Sequence, residues 1–542
     1  MKTPLLLAVI AAALYVPRLG DAPIYLSPDE VFIALNAHAI ATTGHDYRGR
    51  LLPLYIEYRY PSIDSTTHEK VMRSGWLPPT IYYAMAVVLR ILPLSEAAAR
   101  LPTAIVGILD VVLMYFVGRR LFGSEPLAIV SALLLALTPA HFIHSRLAMD
   151  YLYPLPFVLA WLLWLLEYLD GGRDRRLFSS AVALGVGLYS YIAAAIIMPL
   201  FFALTLVVLW WERRPARAYG LVALGFLIPA LLYIPWLVAH PSTSSDVLAK
   251  YGVQNAREMR ALFTFHGIGD QVSRLWTFFD PRFLFFDGCM ELIFGTRTAG
   301  VFLLALAPLL AAGLWAITRP PVTGVALLLI GGLVLSPVPA TVLLTRDAIY
   351  RALEMLPFAA LLSGFGVRLI WSAPASSPQP RALARGFRAG QLVACGLLAT
   401  VPLQFAFFYV DYMTDYRLRT AIIFSGNIRG AFEETIREAD EAHAPAIHLG
   451  RIGAYGRGGD YWSFYLIKYG RSDLAARSLD LGAFEPEVVL ALPAGSVIVT
   501  NAGEGKTDAM IDKLVAAGQL SRTPVKEPDG FTTFWVLRRT GR

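Results

Sequence analysis

The sequence predicts a polytopic α-helical membrane protein of about eleven transmembrane helices, followed by an external α/β domain at the C-terminus. Two observations carry that prediction. Hydrophobic residues make up 56% of the 542 residues and charged ones 16%, with a mean hydropathy of +0.54, whereas ordinary globular chains hold about 45–50% and 25%. Apolar runs near the length that crosses a bilayer recur up to about residue 410 and then stop. The chain has 47 basic and 40 acidic residues, a net charge of +7, and in such a chain the excess reflects loop anchors rather than a nucleic-acid surface. No nucleic-acid partner is expected. Two cysteines, Cys289 and Cys395, are too few for a disulfide framework or a tetrathiolate zinc site.

The first run, from about Leu5 to Val16, is short enough for a signal peptide but reads more simply as an uncleaved first span, because many spans follow it. Further spans are expected at Leu101 to Gly118, Leu127 to Ile143, Tyr151 to Leu169, Leu177 to Tyr191, Ala193 to Trp211 and Leu221 to Val238. The rest are Gly300 to Ile317, Val322 to Leu343, Ala352 to Trp371 and Gln391 to Tyr409. Arginines in the short loops set the orientation. Arg119-Arg120, Arg173 with Arg175-Arg176, Arg213-Arg214 with Arg217, Arg319, and Arg381 with Arg385 and Arg388 all fall on one side in an eleven-span path. That side is the cytoplasm, with the N-terminus inside. Thr80 to Leu94 cannot be a twelfth span without inverting Arg119-Arg120, so it is expected as an interfacial or re-entrant helix.

Residues 21–100 and 239–299 then form large outer loops of a transmembrane domain spanning 1–410, and residues 411–542 form the external domain. In that tail Gly, Asp, Glu and Arg rise, and apolar runs shrink to strand length. Ala446 to Leu449, Ser496 to Thr500 and Thr532 to Leu537 read as strands; Ile428 to Ala442 and Thr507 to Ala517 have helical periodicity. Ser372 to Pro380 reads as a Pro/Ser-rich linker.

The candidate chemistry lies in the outer loops. Ser27-Pro28-Asp29-Glu30 precedes an amphipathic stretch, Val31 to Thr43, that stops at Gly44. A helix start explains most of it: Ser27 caps, Pro28 takes the first position and Glu30 closes a capping box. Asp29 is left over. In the second loop, His144-Ser145-Arg146 and Asp150 lie between two spans; an Arg-Asp pair at the membrane edge is the plainer explanation, yet ionisable groups at this depth also mark functional sites. His141 and His144 share a helix face, so a divalent metal held by His144 with Asp150 or Asp29 stays open. Arg346 and Arg351 flank Asp347 in a short loop. From Phe263 to Phe294 the chain is rich in aromatics, fit either to cover an apolar groove or to form an interfacial belt.

The motif Trp76-Leu77-Pro78-Pro79-Thr80-Ile81-Tyr82-Tyr83, with Arg100-Leu101-Pro102 and Asp29-Glu30, resembles the polyprenyl-phosphate-dependent GT-C glycosyltransferases. That group contains the protein O-mannosyltransferases and the lipid A aminoarabinose transferase. Ser145-Arg146 with Asp150, Gly187 to Tyr191, and Tyr350-Arg351-Ala352 through Pro357 fit the same pattern, so the resemblance spans about residues 1–410. It implies a GT-C-like fold, Asp29 and Asp150 as catalytic carboxylates with Asp29 the base, and Glu30, Arg100, Arg146, Arg346, Arg351 and Tyr82 as substrate contacts. Many relatives carry a Lys before the Pro-Pro pair, where this chain has Leu77. The cation that neutralises a donor phosphate must then come from elsewhere: Arg346 and Arg351 first, with Arg100, Arg146, Arg274 or Lys70 as alternatives.

Chemistry points the same way. A sugar on a lipid phosphate already carries a stable anionic leaving group, so transfer needs one base, cations for the phosphate and an apolar groove. The expected function is transfer of a sugar from a polyprenyl-phosphate donor to a lipid, glycan or protein acceptor on the outer face, with inversion, in a bacterial inner membrane. A lipid-linked oligosaccharide flippase would place polar groups deep in its spans, and a non-catalytic scaffold would leave Asp29, Asp150 and the outer arginines unexplained. The orientation is tested by reporter fusions after Tyr409: an enzyme that works only outside the cytoplasm should be active there, and activity of a cytoplasm-only reporter would end the eleven-span path.

Overall fold

The computed structural model describes residues 2–63, 70–243, 246, 256–342, 346–372, 389–452, 457–482 and 484–541. The expected linker beyond Ser372 and the arginines Arg381, Arg385 and Arg388 fall outside these. Helices occupy each of the eleven apolar stretches. Six are long and apolar enough to cross a membrane alone, and a bent pair, Ala216–Ala230 with Tyr233–Ala239, makes up to seven. The first stretch is a 14-residue helix, Lys2–Tyr15, and the third breaks at Leu137-Thr138 into Glu125–Ala136 and Pro139–His144. Pro139, at the first helical position, marks that break because its ring cannot continue the preceding helix. Thr80 starts a helix of only ten residues, Thr80–Leu89.

The chain divides into two compact units. The first comprises Met1–Pro17, Pro53–Ile81 and Thr103–Val410. Its helices approach closely where glycine leaves room: a Cβ on Gly313 would lie 1.8 Å from the Leu362 carbonyl oxygen, and one on Gly366 1.9 Å from that of Leu309. The helices Leu306–Ile317 and Met355–Ser372 therefore pack backbone to backbone. Strands β1 (Ile56–Ile63) and β2 (Lys70–Leu77) pair antiparallel with Ile56 opposite Leu77, a feature the sequence reading leaves as loop. Trp76, at the end of β2, meets the Trp236 ring edge-on at 5.0 Å, and Tyr55 and Tyr189 complete the cluster. Thr80 Oγ1 donates to the Tyr189 carbonyl at 2.6 Å. The aromatic-proline motif and the Gly187 to Tyr191 segment are thus packed together.

The second unit comprises Arg18–Leu52, Tyr82–Pro102 and Asp411–Arg542. Its sheet has the order β4-β3-β5-β7-β6, with β3 Ile447–Leu449, β4 Ser478–Asp480, β5 Val497–Asn501, β6 Leu520–Lys526 and β7 Thr532–Arg539. β4, β3 and β5 run parallel, and β7 and β6 complete it antiparallel. One face buries Ile498, Leu537, Ile511 and Leu514; β4 and β6 were not visible in the sequence pattern. Two further carboxylates tie this unit's segments together. Glu96 accepts from Lys468 Nζ at 2.9 Å and from the Tyr465 hydroxyl at 3.3 Å. Glu527 accepts from the Tyr25 hydroxyl at 2.9 Å and the Thr533 hydroxyl at 2.9 Å, and burial with the Glu527 charge beside it raises the Tyr25 phenol well above its ordinary pKa. Residues 411–542 are therefore joined in one unit to both ends of the first large loop.

The close glycine contact gives a direct test. Gly366→Ala should lower the thermal stability of the purified protein by roughly 1–3 kcal/mol equivalents through overpacking. Gly396→Ala, where a Cβ would meet nothing within 4 Å, should be neutral or slightly stabilising; equal melting temperatures for the two variants would contradict this packing.

Candidate functional site

The helix Pro28–Thr43 begins as its sequence predicts. Ser27 accepts from the Glu30 N–H at 3.4 Å, Glu30 accepts from the Ser27 N–H at 2.8 Å, and Gly44 ends the helix in the left-handed region at φ 75°. The helix is buried on most sides rather than on one. Glu30 has a second task. Arg100 Nε donates to its Oε1 at 2.7 Å and Nη2 to its Oε2 at 3.1 Å. The other guanidinium hydrogens go to the carbonyls of Leu19 at 2.9 Å, Pro23 at 2.7 Å and Tyr25 at 2.6 Å. All five donors of Arg100 are engaged and both side chains are fully buried. This geometry makes Arg100 and Glu30 a scaffold, where the sequence reading had them as substrate contacts. A Glu30→Gln change would also do more than weaken a cap, since it would leave Arg100 without its counter-charge.

Asp29 stands apart from that scaffold. Its side chain is 64% exposed, and its nearest ionic neighbour is Arg457 Nη1 at 3.4 Å. The same nitrogen reaches the Pro28 carbonyl at 3.3 Å, and the guanidinium lies 5.0 Å from the centre of the Phe32 ring. An ion pair this exposed contributes little to stability, so the carboxylate keeps a face open to an incoming group. Tyr82, in the same unit, is 1% exposed and sits in the core rather than at a surface.

In the first unit, Arg146 is fully buried: Nη1 donates to the Tyr15 carbonyl at 2.6 Å and the guanidinium lies 5.4 Å from the Phe142 ring centre. That position suits anchoring of the first helix better than contact with a substrate. The short turns Asp150–Leu152 and Ile349–Arg351 pack on each other, so Asp150 and Arg351 are brought to one place. Tyr151, next to Asp150, and Tyr350, next to Arg351, are 5.0 Å apart by ring centres, and Phe294 lies 4.2 Å from Tyr350. Burial pushes the Tyr350 phenol up to about 12, and its hydroxyl donates to Glu291 at 3.2 Å. Arg351 is 9% exposed, Arg346 is exposed, and Arg274 is half-buried in the last turn of Phe265–Thr277. The side chain of Lys70 lies outside the described residues.

The aromatic segment divides. Phe278 and Phe283 are buried, while Phe265, Ile268, Val272 and Trp276 line one exposed face of the Phe265–Thr277 helix. His144 stacks on Phe294 at 5.8 Å and its Nδ1 is 2.7 Å from the Ala140 carbonyl. Among the described residues no three His, Cys, Asp or Glu side chains are grouped so as to hold a metal ion, so Asp29, Asp150 and His144 gain no support as ligands.

One group escaped the sequence reading. Asp110, inside the Glu96–Phe122 helix, lies 3.5 Å from His141 Nε2, and His141 Nδ1 is 2.9 Å from the Tyr15 hydroxyl, all fully buried. A lone acid within an otherwise apolar run was the available signal.

Residues 77–238 match the family model described as Dolichyl-phosphate-mannose-protein mannosyltransferase. No curated protein matches the chain. Among solved structures, ArnT from Cupriavidus metallidurans bound to undecaprenyl phosphate is similar at 15% identity and a TM-score of 0.54, covering 98% of this chain and 97% of that one. The archaeal oligosaccharyltransferase AglB from Archaeoglobus fulgidus is similar at 12% identity and a TM-score of 0.53, covering 100% of this chain and 74% of that one. At such identities the structures share a fold, and these apolar helices make the chain a multi-pass membrane protein. The matched segment and the shared architecture show the polyprenyl-phosphate-dependent GT-C glycosyltransferases to be the group this chain resembles.

Proposed function

We propose that the protein transfers a sugar from a polyprenyl-phosphate donor to an acceptor hydroxyl or amine on the outer face of the membrane, with inversion at the anomeric carbon. The observation that carries this reading is Asp29: the cap and the buried ion pair use Ser27, Glu30 and Arg100, and the one carboxylate left exposed in that turn makes an exposed contact to Arg457 at 3.4 Å and takes no part in the cap or the buried pair. In the proposed step the Asp29 carboxylate takes the acceptor's proton as its oxygen or nitrogen attacks the anomeric carbon. The bond from that carbon to the phosphate oxygen breaks, and polyprenyl phosphate leaves as an anion. No general acid is required for such a leaving group. Arg351 and Arg346 hold the departing phosphate in this reading, and Asp150, on the turn that packs against that of Arg351, takes part on the donor side. The ArnT structure has undecaprenyl phosphate bound, which supports a lipid-phosphate donor here.

Asp29→Asn keeps the shape of the side chain and removes its basicity. With labelled undecaprenyl-phosphate sugars as donors and the source membranes as acceptor, turnover should fall by roughly two orders of magnitude or more while donor binding persists. Near-normal turnover would move the base to Asp150. The cations are tested separately by the affinity for undecaprenyl phosphate. Charge-assisted contacts contribute about 1.5–3 kcal/mol each, so Arg346→Ala and Arg351→Ala should each weaken binding by roughly ten- to hundredfold. Unchanged affinity in both, with the proteins folded, would assign the phosphate to Arg274 or Lys70.

A further inference from the structure

The second unit has a cavity that this reading does not yet use. β3 leaves through the Gly458–Lys468 helix towards β4 at one edge, and β5 leaves through the Gly505–Ala516 helix towards β6 at the other. The chain thus departs in opposite directions from two adjacent parallel strands. The crevice beyond the carboxyl ends of strands at such a switch is where α/β sheets bind ligands.

A cavity of about 300 Å³ opens next to that crevice, between the end of β5 and the start of β7, lined among others by Ser425, Asn501, Glu504, Thr533, Ile422 and Phe531. Its volume is at the lower end of those that hold small molecules. Arg451, 3.9 Å from Glu504, lines a second cavity of about 330 Å³ at the ends of β3 and β4. The two are therefore neighbours. The charges of Arg451 and Glu504 offset each other, which gives no preference for a strongly ionic ligand. What the first cavity offers is the Glu504 carboxylate and the Asn501 amide, 3.3 Å apart, with the hydroxyls of Ser425 and Thr533, whose protons go to Tyr461 and Glu527, as acceptors, opposite apolar groups, with Phe531 55% and Ile422 60% exposed. A sugar ring matches that division, since its hydroxyls can pair with the carboxylate and amide while its C–H face lies on the aromatic ring. The backbone here is held in place: Ser425 and Gly426 are in the left-handed region at φ 73° and 63°. The Tyr461 hydroxyl donates to the Leu26 carbonyl at 2.8 Å, so at 2.8 Å it accepts from Ser425. Leu26 leads directly into Ser27-Pro28-Asp29.

We infer that this cavity is a carbohydrate subsite that binds the glycan part of the acceptor, its continuation past Glu504 having room for a second ring. The inference rests on the glycosyltransferase reading for its role, and its binding is measurable without turnover. Full-length protein in nanodiscs is examined by saturation-transfer NMR with the methyl glycosides of mannose, glucose, galactose and N-acetylglucosamine. At least one should show saturable transfer. Phe531→Ala, at an exposed position, should weaken that binding by roughly tenfold, the worth of one aromatic contact, and Glu504→Gln should weaken it as well. The absence of saturable transfer from all four probes, or affinities unchanged in both variants, would overturn the subsite. Asp29→Asn should bind the glycosides as the parent does, so loss of the base and loss of the subsite are read independently.

Discussion

A guanidinium with no access to water holds the segment after the first helix. Taking an isolated charge out of water costs several kcal/mol, and the cost is offset only when the partner and every remaining donor are well placed. Arg100 meets that condition with one carboxylate and three carbonyls. The three carbonyls belong to Leu19, Pro23 and Tyr25, so a stretch with no regular secondary structure of its own is fixed by one side chain. Its partner Glu30 is simultaneously the closing residue of the capping box. The start of the Pro28–Thr43 helix and the start of the Glu96–Phe122 helix are thereby fixed to each other.

That constraint gives Asp29 its meaning. Within one helical turn, Ser27 and Glu30 satisfy the backbone and Glu30 neutralises Arg100, so substitution at either disturbs the fold first. A change at Asp29 leaves the partners of the cap and of the Glu30–Arg100 pair in place. The same economy extends through the second unit, where Glu96 and Glu527 are engaged with Lys468, Tyr465, Tyr25 and Thr533. Glu30, Glu96 and Glu527, which hold segments together, are buried, and Asp29 is exposed.

The helices were legible in the sequence because membrane depth demands long apolar runs, and the capping box because its residues lie three apart in one turn. The ion pair was not. Glu30 and Arg100 are separated by 70 positions, and an Arg-Leu-Pro pattern looks the same whether its guanidinium faces a phosphate or a buried carboxylate. The burial of Arg146 and Tyr82 is hidden from the sequence for the same reason: residue type shows what a side chain can bond, and burial decides what it does bond. β4, three residues long with two of them exposed, carries no apolar alternation to find. The pairing of β1 with β2 depends on register across a turn, which local pattern does not contain. Asp29 was found by elimination within a local motif, the kind of inference that short-range geometry supports.

Asp110 bears on the choice between transfer and transport. An acid inside a span is the usual mark of an ion or proton path, and its presence qualifies the expectation that the spans lack polar groups. Its surroundings, however, are closed. Asp110 and His141 are fully buried, and His141 reaches Tyr15, whose hydroxyl also donates to the Ala136 carbonyl at 2.9 Å. Beside them a Cβ on Gly107 would collide with Ser145 Oγ, so the helices touch there. The acid within the span is enclosed, with neither carboxylate oxygen hydrogen-bonded among the described residues, whereas the acid at the helix start is open to an incoming group, and that contrast in access favours chemistry at Asp29 over chemistry at Asp110.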